Sequence, residues 1–116
     1  MQTTNKSVIQ ITPKEGKKES EGLIWNDANM AHHLGIEALE ASSDTPCRVY
    51  FEKRNCKDKN LQIVPMGSVR LTAYSPNYTL KMYGYTVNAG WNIFARVEFA
   101  DPEKAKPVEI GIVGRV

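Results

Sequence analysis

From Cys47 onward the chain repeats with a period of two. In RVYFEK, Val49 and Phe51 alternate with Arg48, Tyr50 and Glu52. In SVRLTAY, Val69, Leu71 and Ala73 alternate with Arg70, Thr72 and Tyr74, and in YTLKMYGYTV Leu80 and Met82 alternate with Lys81, Tyr83 and Tyr85. WNIFARVEF sets Trp91, Ile93, Ala95, Val97 and Phe99 against Asn92, Phe94, Arg96 and Glu98; in KPVEIGIVGRV, Val108, Ile110 and Ile112 stand against Glu109, Gly111, Val113 and Arg115. Successive side chains of a strand point to opposite faces, so this pattern requires a sheet with one dry side. Leu61–Val64 reads as a further short strand before Pro65. Ser75-Pro76-Asn77, Asn88-Ala89-Gly90 and Asp101-Pro102 fall between the segments and favour turns. Such connections are too short for parallel crossovers. The fold expected is mainly β, an antiparallel β-sandwich or partly open barrel of about seven strands.

The first part of the chain is less regular. Ser7–Thr12 and Gly22–Trp25 read as short strands, separated by a charged loop over Lys14–Glu21. Asn26 and Asp27 suit a helix N-cap, and Met30, Leu34, Ala38 and Ala41 recur at helical spacing. One short helix or irregular crossover is therefore expected near residues 27–41, although Gly35 costs it ~1 kcal/mol and a strand over Leu34–Ala41 is the rival reading. The expected core is Val49, Phe51, Val69, Leu71, Leu80, Met82, Trp91, Ile93, Val97, Phe99, Val108, Ile110 and Ile112.

A length of 116 residues predicts one domain over 1–116, with 1–6 flexible. The longest apolar run falls far short of the ~20 residues of a membrane helix. Residues 1–12 lack the pattern of a secretory signal, which places the chain in the cytoplasm or in a particle assembled in a cytosol; secretion would require a signal already removed. A net charge of +2 is too weak to drive nucleic-acid binding unless basic groups cluster. The cysteines, Cys47 and Cys56, would lie roughly 25–30 Å apart along one strand at ~3.3 Å per residue, which predicts reduced thiols.

The alternation assigns an outward set: Arg48, Tyr50, Arg70, Tyr74, Lys81, Tyr83, Tyr85, Phe94 and Arg96. Tyrosine and arginine join large contact area to a polar group, as protein-binding surfaces do. The same types stack bases and neutralise phosphates in single-strand binders. Tyrosine also suits any half-exposed strand, so the pattern has a purely structural explanation too. A second candidate is the basic loop KRNCKDKN, where Lys53, Arg54, Lys57 and Lys59 face only Asp58; a soluble hairpin tip has the same composition.

Neighbouring His32 and His33 cannot share one ion, and neither cysteine has zinc-site spacing, so no metal or other cofactor is expected. No motif surrounds either cysteine, and Met66-Gly67-Ser68 lacks the second glycine of a nucleophile elbow. The leading expectation is a non-enzymatic binding or assembly module, such as a structural subunit or an inhibitor. It would recognise a protein partner or its own copies through the tyrosine–arginine face or an edge strand. The alternatives are a single-stranded nucleic-acid-binding barrel and a small hydrolase or thiol enzyme.

Overall fold

The computed structural model describes residues 4–25, 33–55 and 63–115. Their strands are β1 (Thr4–Ile11), β2 (Glu19–Trp25), β3 (Leu34–Ser42), β4 (Cys47–Asn55), β5 (Ile63–Leu71), β6 (Asn77–Val87), β7 (Trp91–Phe99) and β8 (Val108–Arg115). Every pairing is antiparallel. β1 pairs with β8, β2 with β7, β3 with β6 and β4 with β5, so the chain is one long hairpin doubled back between β4 and β5. Pairing of β3 with β8 and of β4 with β7 rolls that hairpin into two sheets. The first has the order β1-β8-β3-β6 and the second β2-β7-β4-β5. Eight antiparallel strands wound this way form a jelly roll, one kind of β-sandwich. Among the described residues no helix is long and apolar enough to cross a membrane.

The helix expected near residues 27–41 is corrected over its second half, because Leu34–Ser42 is strand β3. Asn26, Asp27 and Met30 lie outside the described residues. The misleading spacing has a physical cause. A register shift between Ile36 and Ala38 adds Glu37 to the strand, so buried Leu34 and Ile36 are followed by buried Leu39 and Ala41. Two strand repeats joined by one extra residue resemble a helical period. Neighbouring β6 slips at the same level: Lys81 faces Ala38 and Tyr85 faces Ile36, leaving Met82, Tyr83 and Gly84 opposite Glu37.

The sequence also divides β5 wrongly. Ile63–Leu71 is one strand that carries Pro65, which is tolerated because β5 lies at a sheet edge. Conversely, Lys14–Glu21 is not all loop, since Glu19–Glu21 belongs to β2. Gly67 marks a bulge in β5. Its φ is +148°, and a Cβ there would stand 2.8 Å from Leu80 Cδ2, so the missing side chain lets β5 close against β6.

Both inner faces meet in a core whose largest fully buried side chains include Phe51, Phe99, Leu34, Ile36, Leu39, Leu71, Ile93 and Ile110. Each such side chain contributes about 1.5–3 kcal/mol on removal from water. The expected core is buried as read except Leu80, Met82 and Trp91, which are only partly buried against it. Leu80 and Met82 sit on edge strand β6, where one flank has no neighbour.

Candidate functional site

The outer face of the second sheet holds Arg48, Tyr50, Arg70, Phe94 and Arg96, brought together by the β4–β5 and β4–β7 registers. The rest of the expected outward set lies elsewhere. Lys81, Tyr83 and Tyr85 are on β6 of the first sheet, and Tyr74 is in the β5–β6 connection. Tyr85 is also turned inward by the β6 bulge, so it packs half-buried against the core.

Alternation around Ser20 turns Glu19 and Glu21 of β2 onto the same outer face, and Glu52 joins them from β4. Arg54 Nη2 meets Glu21 Oε2 at 2.6 Å, and its Nε donates to Glu52 Oε2 at 3.2 Å. Arg96 Nη1 donates to Glu19 Oε1 at 3.1 Å, while its Nε stands 3.6 Å from Glu52 Oε1. Both guanidinium groups also cover rings, Arg54 lying 4.0 Å from the Phe94 centroid and Arg96 4.3 Å from that of Tyr50. Glu52 is buried between them and holds the network together. The hydrogen bond to Glu21 pushes the Arg54 guanidinium above its ordinary pKa, with Glu52 adding to the effect against the opposing cost of burial. Arg48, Arg54, Arg70 and Arg96 thus share their face with Glu19, Glu21, Glu52 and Glu98, and two of its aromatic planes are already occupied. The alternation of RVYFEK and WNIFARVEF puts Glu52 and Glu98 outward, while Glu19 and Glu21 fall in the expected loop and join this face only because β2 begins at Glu19. Only the register shows which arginines they reach.

The basic loop is redistributed too. Lys53 and Arg54 belong to strand β4 and point to opposite faces, while Lys57, Lys59 and Cys56 lie outside the described residues. Lys53 Nζ enters the space between the sheets, 5.2 Å from the centroids of both Tyr85 and Trp91. Those two rings stabilise its charge where the core opens.

A different surface stands out at the sheet edges. Among the described residues, the exposed large apolar side chains are Val8, Leu23, Ile63, Tyr74, Tyr78 and Tyr83. Every one belongs to an edge strand (β1, β2, β5 or β6) or to the β5–β6 connection. Ile63, Tyr74, Tyr78 and Tyr83 occupy the β5–β6 side. Tyr74 is 98% exposed and Tyr83 86%. Tyr83 also has φ +52°, followed by Gly84 at +76°. A bulky residue in the left-handed region is strained, and such strain concentrates at functional positions.

Cys47 is a buried free thiol, its pKa pushed up by burial from 9.0 to about 11. It is therefore uncharged at neutral pH and a poor nucleophile. His33 Nδ1 accepts a hydrogen bond from the Ala89 amide at 3.3 Å, and His32 lies outside the described residues. Among the described residues no three His, Cys, Asp or Glu side chains gather as metal ligands.

No family model matches the sequence, and no curated protein matches it. By shape, the chain is similar to one in a solved structure described as Desmodium yellow mottle tymovirus, with 10% sequence identity and a TM-score of 0.46, covering 99% of this chain and 86% of that one.

Proposed function

We propose that this protein is a non-enzymatic assembly module that binds further copies of itself, or a protein partner, through its β5–β6 edge. The observation that supports this reading is the placement of the exposed apolar side chains. Among the described residues they lie on edge strands or in the β5–β6 connection and on none of the central strands, with Tyr74, Tyr78, Tyr83 and Ile63 on one side. Tyrosine supplies large, rigid contact area with a hydroxyl at its rim, which suits a surface that must also meet water. An edge strand adds unpaired backbone donors and acceptors, the basis of binding by strand addition. The Tyr83–Gly84 bulge interrupts that edge, so strand addition would be confined to the Asn77–Lys81 stretch while the ring makes a side-chain contact. The outward tyrosine–arginine face serves this function less well, because its charges are balanced and two of its rings are covered.

The same reading keeps the protein in a cytosol, or in a particle assembled there, where the Cys47 thiol stays reduced. Light scattering over rising concentration tests the self-association arm. Wild type should exceed monomer mass as concentration approaches about 1 mM, and Tyr74→Ser/Tyr83→Gly should remain monomeric. Hydrogen exchange at the β6 amides should slow in concentrated wild type alone. Association of equal strength in the double variant would show that the edge is not the binding surface.

A further inference from the structure

Arginines on the outer face of the second sheet are used unequally. Arg54 and Arg96 are each tied to glutamates and laid on a ring. Arg48 and Arg70 make no ion pair with any described residue, although Glu98 is the cross-strand neighbour of Arg48. They are also direct cross-strand partners of each other. Like charges in that position destabilise a sheet, so folding gives no reason to keep both. They line a cleft of about 310 Å³ at one end of the sheet, with Lys18, Thr72 and Glu98 on its walls. Lys18, Arg48 and Arg70 oppose Glu98 there, leaving an excess of positive charge in a concave site, where it acts more strongly than on a flat surface.

We infer that this cleft binds a phosphate group. Two guanidinium forks from neighbouring strands can each direct paired N–H donors at one oxyanion, and the bound charge relieves the Arg48–Arg70 repulsion. The Thr72–Ser75 turn, closed by hydrogen bonds of 3.1 Å in both directions, carries Tyr74 two residues beyond the cleft wall with its ring free. A free aromatic ring on the turn that follows a cleft-lining residue suits a nucleotide base, so the phosphate can belong to a single-stranded nucleic acid or to a small phosphate compound.

Titration with pyrophosphate at low ionic strength tests the site, read by calorimetry and by amide shifts. Wild type should bind saturably, with shifts at Arg48, Arg70 and Thr72, and binding should weaken as salt rises. Arg48→Gln/Arg70→Gln should lose about tenfold or more in affinity while keeping or raising its unfolding midpoint. Lys81→Gln/Arg115→Gln removes equal charge from the other sheet and should lose less than about twofold. Oligothymidylate separates the sources. A bound strand should show the same loss in the arginine variant and a further loss on Tyr74→Ala, whereas dependence of pyrophosphate binding alone assigns the site to small phosphates. No saturable pyrophosphate binding, or equal losses in the two double variants, overturns the inference. Tyr83→Gly is expected to leave pyrophosphate binding unchanged, and the pyrophosphate arm uses no residue of the edge proposed for assembly, so failure of either reading is distinguishable from failure of the other.

Discussion

At position 83, glycine should be a better replacement than alanine. Both substitutions remove a ring that is 86% exposed, so little burial is at stake. Of a tyrosine's ~200 Å² only about a seventh is covered, worth under about 1 kcal/mol in either variant. They differ in the backbone. At φ +52° a Cβ crowds the following carbonyl, a strain of about 1–2 kcal/mol that alanine keeps and glycine loses. Glycine gives back roughly 0.5–1 kcal/mol through the greater freedom of its unfolded chain. The balance favours Tyr83→Gly over Tyr83→Ala by about 0.5–1 kcal/mol, or roughly 2–8 °C in unfolding midpoint for a domain near this size. Urea titration at constant slope and thermal unfolding followed by circular dichroism both measure it. Thr86 of the same strand has an ordinary φ and serves as the control; there alanine should be better than glycine by a similar margin. Alanine equal to or better than glycine at position 83 would falsify the strain argument. It would leave Tyr83 supported as a contact residue only by its exposure on an edge strand.

Other consequences can be checked with the same methods. Glu52→Ala should cost about 1–3 kcal/mol in urea unfolding, because it leaves Arg54 and Arg96 without the buried carboxylate between them; partial exposure of both arginines keeps the loss below that of a fully buried pair. A cost within error would mean the network is idle. Gly114→Ala should destabilise by about 1–3 kcal/mol, since its Cβ would lie 2.9 Å from the Gly35 carbonyl oxygen, and backbone cannot swing aside. Gly22→Ala should cost less, because its nearest clash is the flexible end of Ile9. Cys47 makes stability depend on alkaline pH. The folded state holds the thiol proton to about pH 11 and the unfolded state releases it near 9.0, so the stabilisation is complete below 9.0 and is lost as pH rises toward 11. Cys47→Ala should lack that component, and the native thiol should react with iodoacetamide far more slowly than the unfolded one.

The alternation from Arg48 to Arg115 was enough to determine an antiparallel β fold, a sandwich or a partly open barrel, and most of its interior; the strand order decides for the sandwich. A two-residue period with one greasy side has few other ways to leave water, and Val49, Phe51, Val69, Leu71, Ile93, Val97, Phe99, Val108, Ile110 and Ile112 are buried as that period demands. It failed where a bulge shifts the phase. Glu37 made a strand look helical, and Tyr83-Gly84 turned Tyr85 inward, because an inserted residue leaves its flanks locally regular and is recognised only against a neighbouring strand.

The outward tyrosines and arginines were legible by residue type but not by location. The sequence could mark tyrosines and arginines as outward, but strand order is a long-range property. Rolling a single hairpin into two sheets sends β6 to one sheet and β4, β5 and β7 to the other, so the expected patch is split. Register then decides that Arg96 and Arg54 meet Glu19, Glu21 and Glu52, while Arg48 meets Arg70 across the strand. Local periodicity sets which way a side chain points; only the pairing of distant strands sets what it finds there.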